Sequence, residues 1–167
     1  MSLQDLGNLG ELIAAVATVL TLAYLAIQLK QNTNALRSQT FQQSSMDMSL
    51  TANAISSNEE LASILVKTKD NLDDLNPVEK LRFHFWMLVA IRRFEAIFVQ
   101  MEYGSIDPIR IEGFEYSIIS LLANGGASEW WSSTKSGFSH DFVKYADQKL
   151  NSGKYNKSIH PTDSAES

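Results

Sequence analysis

From residue 11 to residue 103 the chain contains no glycine and a single proline, Pro77. Sheet proteins need turn signals about every 8–12 residues, so a stretch this long without them predicts long helices. The punctuation that does occur suits helices. Asn76-Pro77 and Asp107-Pro108 each place a capping side chain ahead of a proline at the first helical position. Gly104 and Asn124-Gly125-Gly126 stand where helices would stop. The expected fold is all-α, a long N-terminal transmembrane helix followed by a small helical bundle.

The transmembrane expectation rests on Leu12 to Ile27, LIAAVATVLTLAYLAI, which no charged residue interrupts. Extended to Leu9 and Leu29, the segment would rise roughly 31 Å as a helix, close to the hydrocarbon thickness of a bilayer. It is apolar all round, as a helix must be when every face meets lipid or protein. A signal peptide would carry a basic start, whereas Asp5 and Glu11 are the charges before this run. The rival is a core helix of a soluble domain, because Ala is frequent and Thr18, Thr21 and Tyr24 dilute the hydrophobicity. Lys30 and Arg37 follow the run, so the positive-inside rule places the body in the cytoplasm of a bacterial inner membrane. Gly10, Ala14 and Thr18 recur at four-residue spacing and could let two such helices approach closely.

The chain divides, on this reading, into a short N-terminal segment 1–8, a transmembrane helix 9–29, a helical extension or linker 30–56, a helical bundle 57–150 and a disordered tail 151–167. The extension is rich in Gln, Asn, Ser and Thr, with Leu36, Phe41, Met48, Leu50 and Ile55 as sparse anchors. Ser57-Asn58-Glu59-Glu60 resembles a capping box opening a helix that ends near Lys69. The central helix runs from Pro77 to about Tyr103, with Leu81, Phe85, Leu88, Phe94, Ile97 and Phe98 as its apolar surface. A fourth helix follows Pro108, a short one holds Trp130 and Trp131, and Ser139 caps the last.

Composition narrows the function. A net charge of −5 argues against a nucleic-acid partner, since phosphate neutralisation needs clustered Lys and Arg. The absence of cysteine removes disulfides, thiolate metal sites and cysteine nucleophiles.

Several motifs together resemble an uncharacterised bacterial family of small proteins. They are LAIQLKQNTNALRSQTFQ after the apolar run, NPVEKLRF, IRRFEAIFVQMEYGSID, and EWWSSTKSGFSHDFVKYAD. The resemblance spans about residues 9–150 and implies one N-terminal transmembrane helix and a helical cytoplasmic domain. It carries no activity, substrate or cofactor.

No catalytic, cofactor or metal set stands out. Glu79 and His84 lie five residues apart, about 140° around a helix, so they do not share a face. Ser139-His140-Asp141 has triad residue types, but sequence neighbours on one helix cannot form that relay. Asn124-Gly125-Gly126-Ala127-Ser128 could cradle an anion or simply end one helix and begin another. Glu95 is a carboxylate in an apolar run with Arg92 and Arg93 just before it, which suits either a site or a buried ion pair. Trp130 and Trp131 suit either a ligand platform or core packing. Arg92, Arg93, Glu95, Trp130 and Trp131 are therefore the candidate pocket or interaction residues, and Gly10, Ala14 and Thr18 the candidate helix-association face.

Two functions fit. One is a membrane-anchored interaction or scaffold protein acting through a protein partner or self-association. The other is a membrane-bound sensor holding a small apolar or lipid-like ligand between helices, lined by the tryptophans, Phe85, Phe94 and Arg92 or Glu95. An enzyme fits least.

Overall fold

The computed structural model describes residues 3–123 and 125–155. The described residues form six α-helices and one short 3-10 turn, with no strand. They fall into two compact units, residues 1–39 and 40–167.

The first unit is the greater part of helix α1 (Leu3–Ser56). Its most apolar 18-residue window has a mean hydropathy of 2.2, and none of it is buried. Leu12, Leu20 and Leu25 are each more than half exposed. A soluble core helix of this composition would be mostly covered. This one is long and apolar enough to cross a membrane, with its apolar side chains uncovered.

The second unit is the bundle. It consists of α1 from residue 40 onward, α2 (Glu59–Lys67), α3 (Pro77–Glu102), α4 (Pro108–Leu122), α5 (Gly125–Thr134), the 3-10 turn Lys135–Gly137 and α6 (His140–Asn151). The bundle therefore begins near residue 40, inside α1, and not at residue 57. The stretch 30–56 is helix throughout. Phe41 and Met48 are the anchors that pack against the bundle core, while Leu36 and Leu50 stay exposed.

The helix starts follow the capping chemistry. The Asn76 side chain accepts from the Val78 and Glu79 amides while Glu79 reaches back to the Asn76 amide, with Pro77 at the first position. Asp107 accepts from the Ile109 amide in the same way. In α2 the cap is Asn58, not Ser57. The Asn58 side chain accepts from Leu61, and the Ser57 hydroxyl turns back to the Asn53 carbonyl. Gly104 ends α3 at φ +67°, a left-handed conformation that glycine adopts at no steric cost.

Helix α3 is the axis of the core. Phe83, Met87, Ile91, Phe94 and Phe98 recur at three- or four-residue spacing on one face, and all are buried. Leu81 and Phe85 fall outside that stripe and are 57% and 55% exposed, so they do not supply the core. Around Phe94 and Phe98 gather Phe142 and Tyr145 of α6, with ring centroids 4.8–6.4 Å apart. Such aromatic pairs stabilise beyond the area they bury. The expected disordered tail starts too early: Asn151 closes α6 and Tyr155 is buried in the core. The remainder of the tail, 156–167, and the first two residues lie outside the described residues.

Candidate functional site

The five candidate residues of the body fall into three separate groups. Arg92 and Glu95, one helical turn apart on α3, form an ion pair at 2.6 Å. The second Glu95 oxygen accepts from the Ser139 amide at 2.8 Å, at the start of α6. Arg92 also donates to the Gly137 carbonyl at 2.6 Å and lies over the Phe138 ring. A carboxylate at a helix N-terminus takes up an otherwise orphaned amide and faces the positive end of the helix dipole. Burial works to raise the Glu95 carboxyl, but the Ser139 and Arg92 hydrogen bonds outweigh it and hold it below its ordinary value. Ser139 caps by position without a side-chain capping bond, and its own amide is held by Glu95 from across the bundle.

Arg93 faces the other way. It donates to the Asp47 carbonyl at 2.8 Å and to the Thr51 hydroxyl at 2.5 Å, both on α1. Two turns further along α3, Gln100 accepts from the Ser44 hydroxyl at 2.9 Å. These bonds fasten the end of α1 to α3.

The two tryptophans are buried and take different partners, as their positions 100° apart on α5 require. Trp130 donates to His84 Nδ1 at 3.0 Å, which fixes that nitrogen as an acceptor. Trp131 donates to Asp147 at 2.9 Å, and Lys135 holds the other Asp147 oxygen at 2.7 Å. Glu79 is engaged by Lys67 and the Asn76 amide, away from His84.

A polar cluster that the sequence reading passed over centres on the most buried carboxylate among the described residues. Glu115 on α4 is 5% exposed and accepts from Lys149 at 2.8 Å and from the hydroxyls of Tyr145 and Tyr155. Burial alone would raise its carboxyl, yet the Lys149 and tyrosine bonds hold it below the ordinary range. Both phenols are pushed above theirs, by burial first and then by the Glu115 charge. The signal that singled out Glu95 was present here too: a carboxylate among Ile111, Phe114, Ile118 and Ile119.

The glycine pair after α4 is explained by close contact. Gly126 donates to the Thr68 carbonyl at 2.9 Å, and a Cβ on Gly125 would sit 1.8 Å from the Lys69 carbonyl oxygen. The amide that could meet an anion is already taken by the end of α2. Asn124 lies outside the described residues.

Two cavities among the described residues of the bundle bear on these candidates. A small one of about 400 Å³ lies between α1 and α3 and includes Arg92 and Arg93 in its wall. A larger one, of about 1000 Å³, is walled by α1 beyond residue 44, by α2, α3 and α4, and by the start of α5. Its apolar wall includes Met48, Ile55, Leu65, Phe83, Trp86 and Phe114. Exposed lining residues, Ser49 and Ala52 on α1, Val66 on α2 and Ser117 on α4, mark where it opens. Glu95, Trp130, Trp131, Phe85 and Phe94 line neither cavity. The tryptophan that does face the large one is Trp86, whose indole N–H is shut off from solvent and has no hydrogen-bond partner among the described residues.

Compared with protein-family models, curated proteins and solved structures, the chain matches none.

Along the apolar part of α1, Gly10, Ala14 and Thr18 are exposed. The Thr18 hydroxyl donates to the Ala14 carbonyl at 2.8 Å and Thr21 to Ala17 at 2.8 Å, so neither helical hydroxyl is an unsatisfied donor.

Proposed function

We propose that this chain is a membrane-anchored helical protein whose body binds a small apolar or lipid-like molecule between its helices. The observation that carries the reading is the cavity of about 1000 Å³ in the bundle. Ligand sites of soluble domains typically span ~300–1,000 Å³ and are mostly apolar with a few polar groups. An apolar wall of this extent gains packing contacts when a hydrophobic molecule lies against it.

The anchor is the uncovered apolar stretch of α1, which would insert in a bacterial inner membrane with the body on the cytoplasmic side, where Lys30 and Arg37 lie. A lipid bilayer would then be both the support and the source of the ligand. Full-length protein should sediment with membranes and resist an alkaline wash; recovery in the soluble fraction would remove the anchor from the proposal. After gentle detergent extraction, native mass spectrometry should find one bound hydrophobic molecule per chain.

A scaffold acting through protein–protein contacts is the second reading. It is favoured by the face of α3 carrying Val78, Leu81, Phe85 and Val89, at three- and four-residue spacing and 47–61% exposed. A stoichiometric foreign protein in the same extraction would select it. A homo-oligomer would point to Gly10, Ala14 and Thr18 as the association face.

A further inference from the structure

Resting on the ligand reading, we propose that the large cavity selects a long-chain lipid with an uncharged polar end, of the alcohol or acylglycerol kind, over fatty acids and phospholipids. The argument is from the polar groups of its wall. Two of the lining residues are charged, Lys69 and Asp70, adjacent in the chain and opposite in sign. A carboxylate or phosphate would enter a mostly apolar space without a net positive charge to meet it. Burying an unpaired charge is far costlier than burying a neutral polar group that can hydrogen-bond.

Besides the Trp86 indole N–H, the other side-chain polar groups are hydroxyls, and most have already spent their hydrogen. Ser49 donates to the Ser45 carbonyl at 2.8 Å, Thr68 to Leu65 at 3.0 Å and Ser117 to Gly113 at 3.0 Å. Thr51 accepts from Arg93. What Ser49, Thr68 and Ser117 still offer is oxygen lone pairs, which accept. Toward these hydroxyls an anionic head group brings only further acceptors, whereas a ligand hydroxyl can donate; the one unpartnered donor placed in the wall, the Trp86 indole N–H, suits an uncharged acceptor such as a hydroxyl or ester oxygen. Ser49 and Ser117 are exposed at the opening, so the hydroxyl of the ligand sits at the mouth. Its chain runs inward along Met48, Leu65, Phe83, Trp86 and Phe114. Trp86, with its N–H unpartnered and closed off from water, belongs to this dry wall and reports on its filling.

The test uses the full-length protein in detergent micelles doped with equal mole fractions of oleyl alcohol or oleate at pH 8, which share one chain and differ in the head group. Binding is read by native mass spectrometry and by tryptophan emission. Oleyl alcohol should bind at least about tenfold tighter than oleate, a difference of ~1.4 kcal/mol, and the emission change should vanish in Trp86→Phe. Ala52→Phe and Ser117→Phe, both at exposed lining positions, should each weaken binding about tenfold or more with the helical signal and melting temperature kept. Oleate binding as well as the alcohol would overturn the uncharged-end inference while leaving an apolar ligand in place. Binding of neither would overturn both. Binding untouched by either Phe substitution, or an emission change kept in Trp86→Phe, would put the ligand outside this cavity and overturn the inference.

Discussion

Arg93 on α3 donates to the Thr51 hydroxyl on α1 at 2.5 Å, and the same nitrogen reaches the Asp47 carbonyl one turn earlier at 2.8 Å. Thr51 is 8% exposed, so this contact is largely screened from water. It fastens the end of the long helix to the axis of the bundle, beside Ser44 and Gln100. Arg93→Ala should lower stability by about 1–3 kcal/mol, since it strands buried acceptors. Thr51→Val should cost less. A double-mutant cycle in chemical denaturation should give a coupling of ~0.5–3 kcal/mol. Strict additivity would mean the contact contributes nothing.

Glu95 ties α3 to the first turn of α6 through the Ser139 amide. Glu95→Ala loses this bond and the Arg92 pair together and should destabilise by about 1–3 kcal/mol. Glu95→Gln keeps an oxygen for Ser139 and should recover part of the loss. Equal melting temperatures for the two variants would mean that the Ser139 bond is immaterial.

Glu115 should give stability two pH limits. Its carboxyl is held below its ordinary value of 4.5, so below that pH the unfolded chain takes up a proton that the folded chain resists. Stability should therefore fall as the solution is acidified. Tyr145 and Tyr155 are raised above their ordinary value of 10.0, so their contribution is intact below pH 10 and fades above it. Glu115→Gln should flatten the alkaline arm by removing the charge that opposes phenol ionisation. The acid arm should survive in part, because Glu95 and Asp147 are also lowered. Unchanged alkaline titration of stability in Glu115→Gln would show the tyrosines are not governed by it.

Three glycines of the bundle should rank by the space around them. Gly125→Ala places a Cβ 1.8 Å from a backbone carbonyl at a residue with φ +40°, and should be the most damaging. Gly126→Ala meets the movable Leu72 side chain at 2.6 Å and should be milder. Gly137→Ala meets nothing within 4 Å and should stay within about 0.5 kcal/mol of the native chain. Thermal melts of the three give the order, and a benign Gly125→Ala would argue against close contact between the ends of α2 and α5.

His84 accepts the Trp130 indole hydrogen through Nδ1. His84→Ala leaves a buried donor unpaired and should cost about 1–3 kcal/mol, while Trp130→Phe in that background should recover part of it. Full additivity would mean the bond adds nothing.

The sequence by itself determined where helices begin and end, because capping is local. Asn76-Pro77, Asp107-Pro108 and Gly104 act on amides and carbonyls within a few residues of themselves, so no distant contact was needed to read them. The apolarity of 9–29 was legible directly from composition, whereas 30–56 stood open between helical extension and linker until the structure showed one helix through Ser56. Even so, the choice between Ser57 and Asn58 as a cap lay beyond composition, since both side chains suit the position and only one meets the Leu61 amide.

What tertiary structure alone decided is which faces meet. Leu81 and Phe85 are as apolar as Phe83 and Met87, but the second pair lies on the stripe that the rest of the bundle buries. Glu115, Lys149, Tyr145 and Tyr155 are separated by up to 40 residues and share one buried charge only once α4 and α6 pack. The large cavity is the space five helices leave between them, so none of its walls could be read from one segment. Periodicity names the side of a helix that wants cover; it does not say which neighbour covers it, or where the cover falls short and a pocket remains.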